Sequence, residues 1–173
     1  PRTLILEPTR ELAAQVQEAF ETLGKNHKLT VALLIGGVAF EPQAAKINRG
    51  ADVVIATPGR LLDHMERGGL LLTGIEMLVI DEADRMLDMG FIEDIDFIAA
   101  ATPATRQTVM FSATFGGTVG RLAQKLLRDP LRIDVASHTD THADIEQRLH
   151  WADDLTHKNA LLDHILTERT VDQ

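Results

Sequence analysis

The segment Met77-Leu78-Val79-Ile80-Asp81-Glu82-Ala83-Asp84 joins four apolar residues directly to two adjacent carboxylates. An uninterrupted apolar run of this length predicts a short strand buried on both faces, as in a parallel sheet. Because unpaired carboxylates are costly in a core, we expect Asp81 and Glu82 to face a cleft at the end of that strand. In open α/β sheets ligands bind in this crevice.

Two interpretations of the acid pair remain open at this point. Asp81 is a cap of the helix that starts near Ala83 and Glu82 is simply solvated, or the pair has a chemical role. In the second case one carboxylate holds a hydrated Mg²⁺ and its neighbour positions a water for phosphoryl transfer.

The composition narrows the class of protein. The chain has 173 residues, of which 45% are hydrophobic, and no apolar run is long enough to predict a membrane span. A net charge of −9 argues against a broad basic face for nucleic acid, so any such contact must be local. Six Phe, one Trp and no Tyr argue against a base-stacking platform. The absence of Cys fits a reducing compartment, and we expect a cytoplasmic location.

Strands alternate with helical patterns along most of the chain. This alternation predicts βαβ crossovers and a mostly parallel sheet with helices on both faces. The strands are predicted at 3–6, 31–35, 52–56, 77–80 and 108–111, with a sixth at 131–135.

Each of the first five predicted strands is followed by residues suited to phosphate. These residues are Pro8-Thr9-Arg10, Gly36-Gly37, Thr57-Pro58-Gly59-Arg60, Asp81-Glu82-Ala83-Asp84 and Ser112-Ala113-Thr114. In a parallel sheet all five groups reach one edge. There, Gly admits an anion to backbone N–H groups, Thr adds a hydroxyl, Arg adds a bidentate fork, and helix N-termini add positive dipoles. Such an edge can bind a sugar-phosphate backbone without a basic patch.

The C-terminal part has a different pattern. Residues 136–144 are polar and predict an interdomain linker, after which 145–152 predict a strand and Thr156 a helix cap. His138 and His142 lie four residues apart near Asp140 and Asp144, but a linker fixes no geometry, so we interpret them as solvated and expect no metal site there.

Taken in order, these motifs resemble the DEAD-box RNA helicases over about residues 1–150. The resemblance implies a RecA-like P-loop NTPase fold. It further implies that residues 1–135 are a partial first RecA-like domain, 136–144 a linker, and 145–173 the beginning of the second, C-terminal helicase domain.

The resemblance also implies ligands and site residues. ATP and Mg²⁺ would be the cofactors, with Asp81 holding Mg²⁺ through water and Glu82 polarising the attacking water, so both are the expected catalytic residues. Asp84, paired with Ser112 or Thr114, would couple the nucleotide site to bound RNA. Contacts to the RNA backbone, independent of base sequence, would come from Pro8, Thr9, Arg10, Gly36, Gly37, Thr57, Pro58, Gly59 and Arg60.

One family motif has no counterpart in this sequence. The phosphate loop, Gly-x-x-x-x-Gly-Lys-Ser/Thr, is absent, and Gly24-Lys25 lacks both the preceding Gly and the following hydroxyl. We therefore expect a piece of a longer protein that is inactive on its own, with a gap in the sheet beside the strand ending at Ile80.

Three functions are compatible with these observations. The first is an ATP-dependent RNA helicase, an enzyme that couples ATP hydrolysis to local RNA unwinding, with protein partners recruited through extensions. The second is a non-catalytic RNA-binding or partner-binding module that retains the phosphate-gripping edge. The third, a DNA-directed motor NTPase of the same superfamily, is less well matched by Pro8-Thr9-Arg10 and Ala83-Asp84.

Overall fold

The chain divides into two compact units, Pro1–Pro130 and Leu131–Gln173. The computed structural model describes residues 1–134 and 149–167. The predicted linker, 136–144, and the His138 and His142 pair lie outside the described residues. Within the described ranges no helix is long and apolar enough to cross a membrane.

The first unit alternates strands and helices, as predicted. Its strands are β1 (Thr3–Leu6), β2 (Val31–Leu34), β3 (Val53–Ala56), β4 (Met77–Ile80) and β5 (Gln107–Met110). Its helices are α1 (Arg10–Leu23), α2 (Phe40–Asn48), α3 (Pro58–Glu66), α4 (Ala83–Asp88), α5 (Ile92–Ala100) and α6 (Gly117–Leu126).

The five strands form one parallel sheet in the order β2-β3-β1-β4-β5. Its register aligns the last residues of the strands in a single row. Leu6 is opposite Ala56 and Ile80, Leu34 is opposite Ala56, and Ile80 is opposite Met110. Every loop that follows a strand therefore leaves from the same edge.

Helices cover both faces of the sheet because alternate strand residues point to opposite sides. Ile5 and Ile55 belong to the cluster that Ala13, Val16 and Phe20 of α1 cover. The larger cluster lies on the other face, where the strand side chains pack with α3, α5 and α6; it includes Leu4, Leu6, Leu61, Ile95, Ile98 and Leu122. Burial of these strands on both sides explains their continuous apolar sequences.

The prediction of a gap in the sheet beside the strand ending at Ile80 is wrong. β4 pairs with β1 on one side and with β5 on the other. Among the described residues β5 is an edge strand that pairs only with β4. Strand order is set by how the crossovers pack, which the apolar pattern of a single strand does not reveal.

The prediction of a sixth strand is also wrong for residues 131–134, the part of it that the structure describes. Residues 131–134 form no strand, and Leu131 and Ile133 are exposed. Alternating hydrophobicity produces a strand only where a partner strand is present and one face becomes buried. Residues 149–152, the described end of the last predicted strand, form none either. The final helix is confirmed as α7 (Leu155–Thr167), one residue earlier than its predicted cap.

Candidate functional site

The row of strand ends continues by one residue into the loops. Backbone N–H groups of Glu7, Thr57, Asp81 and Phe111 donate to the carbonyls of Ala56, Leu34, Leu6 and Ile80, at 2.9–3.1 Å. The sheet thus fixes where each loop begins. The sequence-predicted groups after all five strands stand along this one edge, as expected.

The β1–α1 turn places Thr9 and Arg10 at the edge. Thr9 is the N-cap of α1, with its Oγ1 accepting the Leu12 N–H at 3.3 Å. This cap fixes the direction in which the helix leaves the sheet. Arg10, the first helical residue, then extends to the loop after β2, where its guanidinium lies against the Cα of Gly37.

The backbone at Gly37 favours glycine. Its φ of +76° is in the left-handed region that other residues avoid. A Cβ atom at this position would also meet Nη1 of Arg10, but this is the far end of an exposed, flexible side chain that can move aside at little cost. The neighbouring Gly36 has neither restriction, because its Cβ position has no atom within 4 Å.

An open groove of about 420 Å³ runs along this part of the edge. Six of the residues predicted to contact the RNA backbone line it, together with Glu11 and Met89; the six are Pro8, Thr9, Arg10, Gly36, Gly37 and Thr57. Met89 is half exposed and comes from the end of α4, after the acid pair. Sequence reasoning missed Met89, since an exposed Met at a helix end has no pattern of its own.

Arg60 has a more enclosed position than Arg10. Its Nε donates to the Ile35 carbonyl at 2.8 Å, and its Nη2 donates to the Val38 carbonyl. Nη1 lies 3.7 Å from Asp63, and the side chain is only 14% exposed. Arg60 is thus directed toward the β2–α2 loop, whereas sequence reasoning treated it as a fork for phosphate.

The acid pair forms a tight turn between β4 and α4. Glu82 is left-handed, with φ of 44° and ψ of 52°, which is uncommon for a residue with a side chain. Asp81 Oδ1 accepts the N–H of Glu82 at 2.8 Å, and Glu82 Oε2 accepts from Arg85 Nη1 at 3.1 Å. The N-cap residue is Glu82, which makes no capping hydrogen bond, so the interpretation of Asp81 as the helix cap is wrong.

Asp84 connects α4 to the loop after β5. Its Oδ2 accepts from the backbone N–H and the hydroxyl of Thr114, at 3.2 and 3.3 Å, and its own N–H donates to Ser112 Oγ at 3.3 Å. Ser112 Oγ donates in turn to the Thr114 carbonyl at 2.7 Å. Burial alone would raise the pKa of Asp84, but hydrogen bonds from Arg85, Ser112 and Thr114 outweigh it and lower the pKa.

Glu7 is a third carboxyl group beside the acid pair that sequence reasoning overlooked. It follows β1, in the register position next to Asp81, and is 1% exposed. Its Oε1 is buried without a hydrogen-bond partner in the described part of the chain. Burial, and then the charges of Asp81 and Glu82, raise the pKa of Glu7 to about 7. Glu7 could have been found from the sequence, because it comes directly after a buried strand, which is the feature that identified Asp81.

These carboxylates fit a hydrated Mg²⁺ that also binds phosphate. Oxygen donors are what this ion prefers, and the unpartnered oxygen of Glu7 marks a place where positive charge or ordered water is favourable. Residues 1–134 and 149–167 contain no cluster of three or more potential ligands that would enclose a metal.

The sheet is parallel throughout. Glycine turns and an arginine lie at one part of its edge, and an acid pair lies at another. These features together define a phosphate-handling α/β domain. Comparison with known proteins assigns the family. The model of the DEAD/DEAH box helicase family matches residues 1–122. The chain belongs to this family.

Curated relatives agree with this assignment. The ATP-dependent RNA helicase SrmB of Escherichia coli (strain K12) is 44% identical over 169 residues, covering 97% of this chain and 38% of that protein. The ATP-dependent RNA helicase DeaD of the same strain is 43% identical over 148 residues, covering 85% of this chain and 24% of that protein. The chain thus spans well under half the length of these relatives.

Solved structures confirm the RecA-like fold expected from the resemblance. A DEAD box protein from the hyperthermophile Methanococcus jannaschii is 42% identical with a TM-score of 0.71, over 74% of this chain and 35% of that one. A hypothetical ATP-dependent RNA helicase from Sulfolobus tokodaii is 38% identical with a TM-score of 0.70, over 74% and 38%.

Proposed function

We propose that the complete protein is an ATP-dependent RNA helicase of the DEAD-box type, which couples ATP hydrolysis to local unwinding of RNA. The observation that carries this proposal is the aligned row of strand ends, Leu34, Ala56, Leu6, Ile80 and Met110. It brings the segments that follow the strands, with Arg10, Arg60, Asp81 and Ser112, to one edge. The relatives SrmB and DeaD are ATP-dependent RNA helicases, which supports the same activity.

The RNA backbone is the ligand that we assign to the groove between the loops after β1, β2 and β3. The predicted contacts are Pro8, Thr9, Arg10, Gly36, Gly37, Thr57, Pro58, Gly59 and Arg60. Thr9 is already the N-cap of α1, and α3 begins at Pro58, so two helix N-termini lie in this region. Backbone and dipole contacts explain how a chain of net charge −9 can bind RNA, and they carry no base-sequence information.

ATP and Mg²⁺ are assigned to the acid turn. Asp81 would hold the ion through water and Glu82 would orient the attacking water; bound Mg²⁺ supplies neutralisation of phosphate charge. The bonds of Asp84 to Thr114 and Ser112 support a coupling role, because they tie the acid turn to the next strand's loop.

The domain organisation belongs to the same proposal. Residues 1–135 are assigned to a partial first RecA-like domain, 136–144 to a linker, and 145–173 to the beginning of the second domain. The activity requires a complete phosphate loop, for which this sequence has no motif. Cytoplasmic location and protein partners remain predictions.

ATP hydrolysis by the complete protein, measured without nucleic acid, with single-stranded RNA and with DNA of the same base sequence, tests the proposal. We expect stimulation by RNA and little by DNA. Equal stimulation by DNA would favour the DNA-directed motor, and RNA binding without ATP turnover would favour the non-catalytic module.

A further inference from the structure

The loop between β2 and α2 is exposed, yet side chains from α2 and α3 are bonded to its backbone. Gly37 and Val38 are both exposed, and Gly37 has a positive φ. Neither burial nor secondary-structure hydrogen bonding fixes such a loop. If it binds a sugar-phosphate backbone, as proposed above, its N–H groups must be held in place before RNA arrives.

Gln43 on α2 makes three hydrogen bonds to the ends of this loop. Its Oε1 accepts from the Ile35 N–H at 3.2 Å, and its Nε2 donates to the carbonyls of Ile35 and Ala39, at 3.1 and 3.2 Å. The side chain is 6% exposed. A buried amide of this kind is satisfied by the loop backbone and is out of reach of a ligand in the groove.

Arg60 on α3 holds the same loop from a second element. Its Nε shares the Ile35 carbonyl with Gln43, and its Nη2 bonds the Val38 carbonyl, on the far side of the two glycines. The planar guanidinium is suited to join two carbonyls at fixed spacing, whereas a lysine ammonium is not. Arg60 thereby ties the glycine loop to the start of α3.

We propose that Gln43 and Arg60 form a clamp, the Gln43–Arg60 clamp, which holds the Gly36–Gly37 loop in its RNA-binding conformation. Both are positioning residues that act on RNA through the loop. This reassigns Arg60, proposed above as a direct backbone contact, because its guanidinium is bonded to the loop carbonyls. Arg10, at the start of α1, lies against Gly37 of this loop and lines the groove. This inference rests on the proposed RNA groove.

The central test is Gln43→Met in the complete protein. Methionine keeps the length and volume of glutamine but has no strong donor or acceptor, so all three loop bonds are lost. We expect the RNA concentration for half-maximal ATPase stimulation, and the Kd for a fluorescent oligouridine, to rise about tenfold. The kcat at saturating RNA and the KM for ATP should stay within about twofold.

Two further variants make the test specific. Gln15→Met replaces an exposed glutamine on α1 and should behave as wild type. Arg60→Lys retains the positive charge but not the fork, and we expect it to lose about as much affinity as Arg60→Ala. A double variant, Gln43→Met with Arg60→Ala, should lose little more than either alone, because both remove the same restraint.

The possible outcomes separate this inference from the proposed function. If Arg10→Ala weakens RNA binding but Gln43→Met does not, or if Arg60→Lys binds RNA as wild type, the clamp is refuted while the groove stands. If Gln43→Met lowers kcat, raises the KM for ATP and weakens RNA binding by similar factors, Gln43 has a general structural role, and this result would also refute the clamp. If Arg10→Ala leaves RNA binding unchanged, the groove is not the RNA site and both proposals fail.

Discussion

Asp84 Oδ2 accepts two hydrogen bonds from Thr114, one from its backbone N–H at 3.2 Å and one from its hydroxyl at 3.3 Å. The two residues are 30 positions apart in sequence; Asp84 is in the first turn of α4 and Thr114 is in the loop after β5. With the bond from the Asp84 N–H to Ser112 Oγ, this pairing connects the start of α4 to the loop after β5.

Replacing Asp84 by Asn is expected to lower the free energy of unfolding by about 1 kcal/mol at neutral pH, because an amide is a weaker acceptor for both Thr114 donors. The pKa of Asp84 is lowered in the folded state, so its stabilisation is present above its ordinary value of 3.8 and is lost as the pH falls through the folded value. Urea denaturation at several pH values checks this. A difference between variant and wild type that stays constant into strong acid would contradict it.

Gly37→Ala is expected to destabilise the protein by about 1–2 kcal/mol. The destabilisation comes from the φ of +76°, which a side chain disfavours, because the exposed Arg10 guanidinium can move away from the added methyl group at little cost. Gly36→Ala is the matched control, with an expected change within about 0.5 kcal/mol, since its Cβ position is open. Thermal unfolding of Gly37→Ala and Gly36→Ala checks this difference. Equal destabilisation by the two substitutions would refute the claim that Gly37 specifically needs to be glycine.

Glu7→Gln is expected to stabilise the protein at about pH 8 by about 1–3 kcal/mol and to have little effect at about pH 5. Burial raises the pKa of Glu7 from 4.5 to about 7, so the folded protein binds a proton that the unfolded chain releases. Glu7 therefore lowers the free energy of unfolding of the wild type as the pH rises through this range. A glutamine side chain does not titrate, so the variant has no such decrease from this position. Urea denaturation at both pH values checks the prediction, which fails if the variant changes stability equally at each.

Arg60→Ala is expected to weaken RNA binding by about the same factor for different base sequences. Arg60 acts through a loop that is proposed to bind the sugar-phosphate backbone, so it reads no base edge. Fluorescence anisotropy with oligouridine and oligoadenosine of one length checks this. A loss confined to one sequence would show base recognition and contradict the assignment.

Much of this architecture can be predicted from local sequence. The central strand β3 is buried at every residue and β1 at three of four, as their continuous apolar sequences predict. Thr9, a residue type that favours the N-cap position, is the N-cap of α1. The phosphate-directed residues at the strand ends could be grouped because parallel strands share one edge.

Other features depend on tertiary packing that sequence does not encode locally. The spacing of Leu23 from Val16 and Phe20 would place it on the apolar face of α1, but it is 82% exposed because it is the last residue of the helix. The position of β5 beside β4 follows from the crossovers. Glu7 and Gln43 are polar residues whose importance comes only from their burial against the loops of neighbouring strands.

The central claim is that Asp81 and Glu82, at the end of β4, handle the phosphates of ATP while the loops after β1 to β3 bind RNA. Glu82→Gln in the complete protein tests it most directly, with RNA-stimulated ATP hydrolysis and ATP-dependent RNA binding measured on the same preparation. We predict that turnover is abolished and RNA binding is retained, because the group that orients the water is lost and Asp81 is kept. Normal turnover in this variant would contradict the account.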